Sequence, residues 1–103
     1  MNVSLTVVYW RDIPAQVVAR AGERGRTARR GLTGRFQEAI DRAAMRAGLS
    51  GSDDYLAEWR RGEPITGGDD PQEEADALAR RLEAEFTDEV LAALVSAGGR
   101  ANP

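Results

Sequence analysis

Residues 3–10, Val-Ser-Leu-Thr-Val-Val-Tyr-Trp, alternate Val3, Leu5, Val7 and Tyr9 against Ser4, Thr6, Val8 and Trp10. Period-two alternation in a β-branched and aromatic run predicts a strand. Its second face begins polar and ends apolar at Val8 and Trp10, which predicts a sheet edge at the start and cover on both faces near the end. Asp12-Ile13-Pro14 is expected to interrupt it, because proline has no N–H to give to a ladder. Val17 and Val18, within residues 16–19, offer a second strand, joined to the first by a hairpin across residues 11–15 and followed by a turn at Gly22-Glu23-Arg24-Gly25. Residues 26–32 suit a third short strand or a loop.

From Thr33 the period becomes helical. Phe36, Ile40, Ala43 or Ala44, and Ala47 recur every three or four residues, with Thr33 as N-cap and Gly48 placed to end the helix. Ser52 caps a short helix whose Tyr55, Leu56 and Trp59 are expected on one face, and residues 60–66 read as extended, a late strand beside the first. Gly67-Gly68-Asp69-Asp70-Pro71 is the clearest boundary, with Asp70 as N-cap, Pro71 at the first helical position and Glu73 completing a capping box. Ala75, Leu78, Ala79, Leu82 and Phe86 form the apolar stripe of that helix. Thr87 caps a last one carrying Val90, Leu91, Leu94 and Val95, closed by Gly98-Gly99. The pattern predicts an α+β fold: a small, mostly antiparallel sheet of three or four strands, the helix from Thr33 packed on one face, and two C-terminal helices completing the core. Residues 1–99 read as one domain and residues 100–103 as a fraying, disordered tail.

A chain of 103 residues that is 42% hydrophobic supports one small core. It contains no Cys, no His and no Lys, which removes disulfides, thiolate and imidazole metal ligands, a Ser-His triad, a Walker lysine and Schiff-base chemistry. No cofactor and no metal centre is implied. A net charge of −3 gives the whole chain no electrostatic pull towards nucleic acid or acidic membranes. The N-terminus lacks a basic segment ahead of an apolar one, and no run approaches the ~20 apolar residues of a membrane span. A soluble cytoplasmic protein is the expectation. Charge is nonetheless uneven: residues 1–50 carry +5 and residues 51–103 carry −8. Such a dipole either holds two halves of one domain together or offers different faces to different partners.

Three constellations bear on function. Tyr9-Trp10-Arg11-Asp12 runs two aromatics off a strand into an Arg and an Asp. An Arg beside an aromatic plane can receive a carboxylate, a phosphate or a flat ligand; equally, the aromatics can be packing and the charges an ordinary turn ion pair. Arg20, Arg24, Arg26, Arg29, Arg30 and Arg35, with Glu23 the one acid among them, form a basic tract. It lacks the interleaved aromatics that read single strands, so nucleic acid is a disfavoured partner, and a solvated loop or one meeting this chain's own acidic helices is the simpler reading. The acids Asp53, Asp54, Asp69, Asp70, Glu73, Glu74 and Asp76 lack calcium-loop spacing and suit first helical turns, where they complement the dipole. Asp41 flanks the Phe36/Ile40 stripe and is expected at the helix–sheet boundary, where Arg11 is an obvious partner.

Residues 7–17 (Val-Val-Tyr-Trp-Arg-Asp-Ile-Pro-Ala-Gln-Val), residues 39–45 (Ala-Ile-Asp-Arg-Ala-Ala-Met) and residues 54–61 (Asp-Tyr-Leu-Ala-Glu-Trp-Arg-Arg) together resemble the bacterial virulence factor domain family. That family is similar to the C-terminal region of a staphylococcal conserved virulence factor and also occurs as stand-alone chains of about this size. The resemblance carries no reaction or catalytic residue. Its motif positions here are Tyr9, Trp10, Arg11, Asp12, Pro14, Gln16, Asp41, Met45, Tyr55, Leu56, Trp59 and Arg60, with the polar subset Arg11, Asp12, Gln16, Asp41 and Arg60 the place to seek a site. Stand-alone members also resemble accessory proteins encoded near folate- and corrinoid-dependent methyl-transfer enzymes.

The leading expectation is a non-catalytic interaction or accessory module, with a protein partner held around Trp10-Arg11-Asp12 and Trp59-Arg60, since aromatic-arginine pairs at element ends are common interface anchors. The alternative is a small subunit or ligand-binding accessory of one-carbon metabolism, with Arg11 or Arg60 holding a small anionic ligand and Asp12 or Asp41 acting as acid or base.

Overall fold

A computed structural model describes residues 2–22 and 25–101. β1 (Val3–Trp10) and β2 (Ile13–Ala21) form an antiparallel hairpin whose register runs from Val3↔Ala21 to Trp10↔Ile13. β3 (Thr27–Gly31) pairs with the outer side of β2, and β4 (Trp59–Arg61) and β5 (Ile65–Thr66) both pair with the free side of β1. The result is a five-stranded antiparallel sheet of order β3-β2-β1-β4, with β5 also on β1. The extended reading of residues 60–66 thus divides into two short strands.

The expected interruption at Asp12-Ile13-Pro14 is shorter and one residue earlier: the turn is confined to Arg11 and Asp12, and Pro14 lies inside β2. Two features accommodate it. Val8 pairs with Gln16 but Tyr9 with Pro14, a bulge that leaves Ala15 as the extra residue. On the other side, the β3 ladder reaches only to Gln16, so no neighbouring strand there needs a donor from Pro14. Of the expected turn at residues 22–25, Glu23 and Arg24 lie outside the described residues.

The helices are α1 (Gly34–Arg46), α2 (Asp53–Ala57), α3 (Pro71–Glu85) and α4 (Asp88–Ser96). Three caps act as their residue types require: Ser52 accepts from the Tyr55 N–H, Asp70 from Gln72 and Thr87 from Val90. Trp59 has left α2 and begins β4, so it does not share a helical face with Tyr55 and Leu56, and Leu56 points to solvent.

Two apolar clusters meet end to end. Val3, Leu5, Val7, Val17 and Ala19 pack one sheet face against Ala75, Leu78, Ala79 and Leu82, so the helix lying across the strands is α3. Around the hairpin tip, Trp10 and Ile13 pack with Phe36, Ile40, Ala43 and Ala44 of α1 and with Leu91 and Leu94 of α4. The helix from Thr33 therefore meets the sheet at its end. Leu32 and Phe86 touch both clusters. On the opposite face, the register aligns Ser4 with Arg20, Thr6 with Val18, and Val8 with Gln16 and Arg61, and it sets Arg29 beside Val18. Ser4, Arg20, Arg29 and Arg61 on this face are exposed; the polar start of β1 thus marks an open face and not the expected sheet edge, since Ser4 and Leu5 pair with β2 on one side and β5 on the other.

Thr33 precedes α1 but its hydroxyl does not cap it. The Thr33 N–H and hydroxyl both donate to Glu83 on α3, at 2.7 and 2.9 Å, and Arg35 donates to the same carboxylate. Burial works to raise the Glu83 pKa, but the hydrogen bonds from Thr33 and Arg35 and the Arg35 charge outweigh it and hold the carboxyl below its ordinary 4.5. A folded-state pKa below the unfolded value means stability that is present above pH 4.5 and lost as pH falls through the depressed folded value. Glu83→Gln is therefore expected to flatten the acid limb of a melting-temperature profile taken from pH 6 downwards; an acid limb as steep as that of the parent chain would exclude this role.

Of the basic tract, Arg30 pairs with Asp76, and Arg35 with Glu83 and Asp88, so this part meets the chain's own acidic helices. Arg20, Arg26 and Arg29 are exposed, and Arg24 lies outside the described residues. Among the described residues, no helix is long and apolar enough to cross a membrane.

Candidate functional site: the aromatic-arginine corner

The two-residue turn between β1 and β2 places Arg11 at φ 52°, a left-handed conformation that favours glycine. What holds an arginine there is the bonding around it. The Arg11 and Asp12 N–H groups donate to the Glu58 carbonyl at 3.1 Å and the Gly99 carbonyl at 2.8 Å. The Arg11 guanidinium donates to the Gly98 carbonyl and to the Glu58 carboxylate, both at 3.0 Å, and lies 5.2 Å from the Trp10 ring centroid. Its Nε is the one buried side-chain polar atom among the described residues without a partner. Arg60 donates through Nε to the Arg11 carbonyl and through Nη2 to Asp12, while its guanidinium sits 4.5 Å from the Tyr9 ring centroid. The other Asp12 oxygen accepts from the Ala101 N–H, and Arg100 donates to Glu58.

The corner thus ties three segments distant in sequence: the hairpin turn, the α2–β4 junction and residues 98–101. Trp10 anchors it from below with 0% exposure, its indole N–H donating to the Tyr55 carbonyl at 2.9 Å and its ring stacked on Tyr55 at 5.6 Å. Tyr55 in turn meets Trp59 edge-on. Gly99 closes the far side: a Cβ there would lie 2.7 Å from Trp10 Cζ3, and φ is +95°.

The eight residues singled out from sequence divide accordingly. Tyr9, Trp10, Arg11, Asp12, Trp59 and Arg60 come together. Gln16 lies along the ladder between Val8 and Gly31, on the open sheet face. Asp41 is exposed and accepts from Gln37 one helical turn back, so it sits neither at a helix–sheet boundary nor against Arg11. Ile40 points into the core, and the next residue is turned about 100° away, towards solvent. Arg11 takes Glu58 instead.

Sequence reasoning missed Glu58, Gly98 and Gly99. Glu58 lies between two residues already singled out, Tyr55 and Trp59, which was the available signal; the glycines read as a helix end and carried no mark of a second duty. The corner sets three guanidinium groups, Arg11, Arg60 and Arg100, against two carboxylates, Asp12 and Glu58, and both Asp12 oxygens are engaged. This arrangement suits rigid presentation of a surface better than proton transfer, which would need Arg60 to release its carboxylate.

Comparisons with curated proteins and with solved structures find no match to the chain. The profile described as "Virulence factor" matches residues 8–95, from the end of β1 to the last turn of α4 and including the hairpin turn and the α2–β4 junction of the corner, and the chain accordingly belongs to the virulence factor domain family.

Proposed function

We propose that this domain is a non-catalytic interaction module that binds a protein through the outer side of the corner, with Leu56 and Trp59 as apolar contacts and Arg60 and Asp12 as the polar rim. The observation that carries this reading is α2: none of its residues is buried, and Leu56 is 63% exposed. A single exposed leucine is ordinary. This one stands three residues before a half-buried tryptophan, on a helix held by the Ser52 cap and the Trp10–Tyr55 hydrogen bond. Rigid support lowers the ordering cost of association, and aromatic and arginine side chains are the usual anchors of such surfaces.

Leu56→Asp tests it cleanly, because the side chain supports no core. Affinity capture from the cells that make the protein, run in parallel with parent and variant, is expected to retain a partner on the parent only. Binding of that purified partner should weaken by about 2 kcal/mol, roughly thirtyfold in Kd, with the melting temperature unchanged. Equal capture by both forms would sink the proposal.

A further inference from the structure

We propose that the open face of the sheet carries an oxyanion site, built from Ser4, Thr6, Arg20 and Arg61, that takes the phosphate group of a small phosphate monoester. This site is independent of the corner. Arg60 and Arg61 are consecutive on β4, so their side chains leave opposite faces of the sheet. Arg60 goes to Tyr9 and Asp12, and Arg61 to the open face.

Ser4, Thr6, Val18, Arg20 and Arg61 line one hollow of about 180 Å³. The register explains why they converge. Ser4 and Thr6 are two apart on β1 and share a face; Arg20 lies opposite Ser4 on β2; Arg61 lies opposite Val8 on β4. Val18 supplies an apolar floor, 8% exposed. Two arginines and two hydroxyl-bearing residues, brought from three strands of the sheet, therefore line one hollow.

Charge is the second line of argument. Arg11, Arg30, Arg35, Arg60 and Arg100 all pair with this chain's carboxylates. Arg20 and Arg61, like Arg26, Arg29, Arg42, Arg46, Arg80 and Arg81, have no acid partner among the described residues; what sets these two apart is that they line one hollow together and no carboxylate lines it with them. Arg29, beside Val18 in the ladder, adds a third positive charge to the same face. In a chain of net charge −3, an unneutralised arginine cluster marks a place for an external anion.

The form of the anion follows from the donors. A carboxylate is planar and is satisfied by one arginine fork, whereas donors from three strands suit a tetrahedral group with several free oxygens. The volume falls below the ~300–1,000 Å³ of pockets that enclose drug-sized ligands, so the site fits a phosphate head with the remainder of the molecule outside. No aromatic side chain lines the hollow to stack a base, as sequence-tolerant single-strand binding requires.

The test is an amide NMR titration of the whole chain with inorganic phosphate at pH 8, against sodium chloride at matched ionic strength, repeated with glycerol phosphate and with a short single-stranded oligonucleotide. Phosphate and glycerol phosphate are expected to move the amides of Ser4, Thr6, Arg20 and Arg61 saturably, in the roughly millimolar range. Arg20→Gln and Arg61→Gln, both at exposed positions, should each weaken binding at least tenfold, while Arg46→Gln on α1 leaves it unchanged. The site is refuted if chloride reproduces the shifts, if they spread over Arg42, Arg46 and Arg80, or if the two face variants titrate like the parent. Tighter binding of the oligonucleotide than of glycerol phosphate would overturn the assignment to a small monoester.

Discussion

Trp10→Ala is expected to destabilise the domain by about 3–5 kcal/mol, the usual loss for truncating a buried aromatic. The indole is wholly buried, holds the Tyr55 carbonyl, stacks on the Tyr55 ring and packs against Gly99. Its removal empties the second core where hairpin tip, α2 and the C-terminal segment converge. Against a total stability of about 5–15 kcal/mol for a domain, that loss removes between about a fifth and the whole of the margin. Urea unfolding followed by far-ultraviolet circular dichroism measures this directly, and a loss below about 1 kcal/mol, the size of a surface effect, would show that the ring does not organise the corner.

Arg11 carries the second large effect, and two substitutions separate its two terms. Arg11→Ala removes the hydrogen bonds to Gly98 and Glu58 but keeps a side chain in the left-handed region. The expected cost is about 1–3 kcal/mol, the range for losing hydrogen bonds to charged groups in a partly buried setting. The Arg11 and Glu58 side chains are only 13% and 29% exposed, which limits rescue by water, while Arg100 gives Glu58 a remaining partner. Arg11→Gly loses the same contacts and also relieves the backbone, so it should be more stable than Arg11→Ala by about 1 kcal/mol. Denaturant midpoints of the two variants decide: if glycine is no better than alanine, the turn stores no strain at Arg11 and the guanidinium contacts account for the whole effect.

Legibility from sequence followed the range of the interaction. The alternation of β1, the helical stripes and the caps at Ser52, Asp70 and Thr87 are local signals, and they place the elements well. Pro14 shows the limit of local reasoning: a proline ends a strand only where its missing N–H is needed, and the bulge at Ala15 that removes the need is a property of the pair of strands. Asp41 shows another, since periodicity locates Ile40 on the buried face but does not name a partner for its neighbour. The corner was legible in half. Its aromatics, its arginines and Asp12 stood out as residue types, while the groups that bond to them lie 47 residues away for the Glu58 carboxylate on Arg11 and 89 for the Ala101 N–H on Asp12. Sequence separation of that size leaves no periodic trace. The open face was half visible as well: the tract supplied Arg20 and Arg29, and only strand order brings Arg61 alongside.

The seat of Gly99 against Trp10 sets a schedule for biosynthesis. A nascent hairpin can zip from Val3 to Trp10 early, yet one side of the indole stays bare, and the Asp12 N–H unanswered, until residue 99 has left the ribosome. Completion of this core consequently waits for every element from β1 to α4 to be translated, however early the hairpin itself has formed.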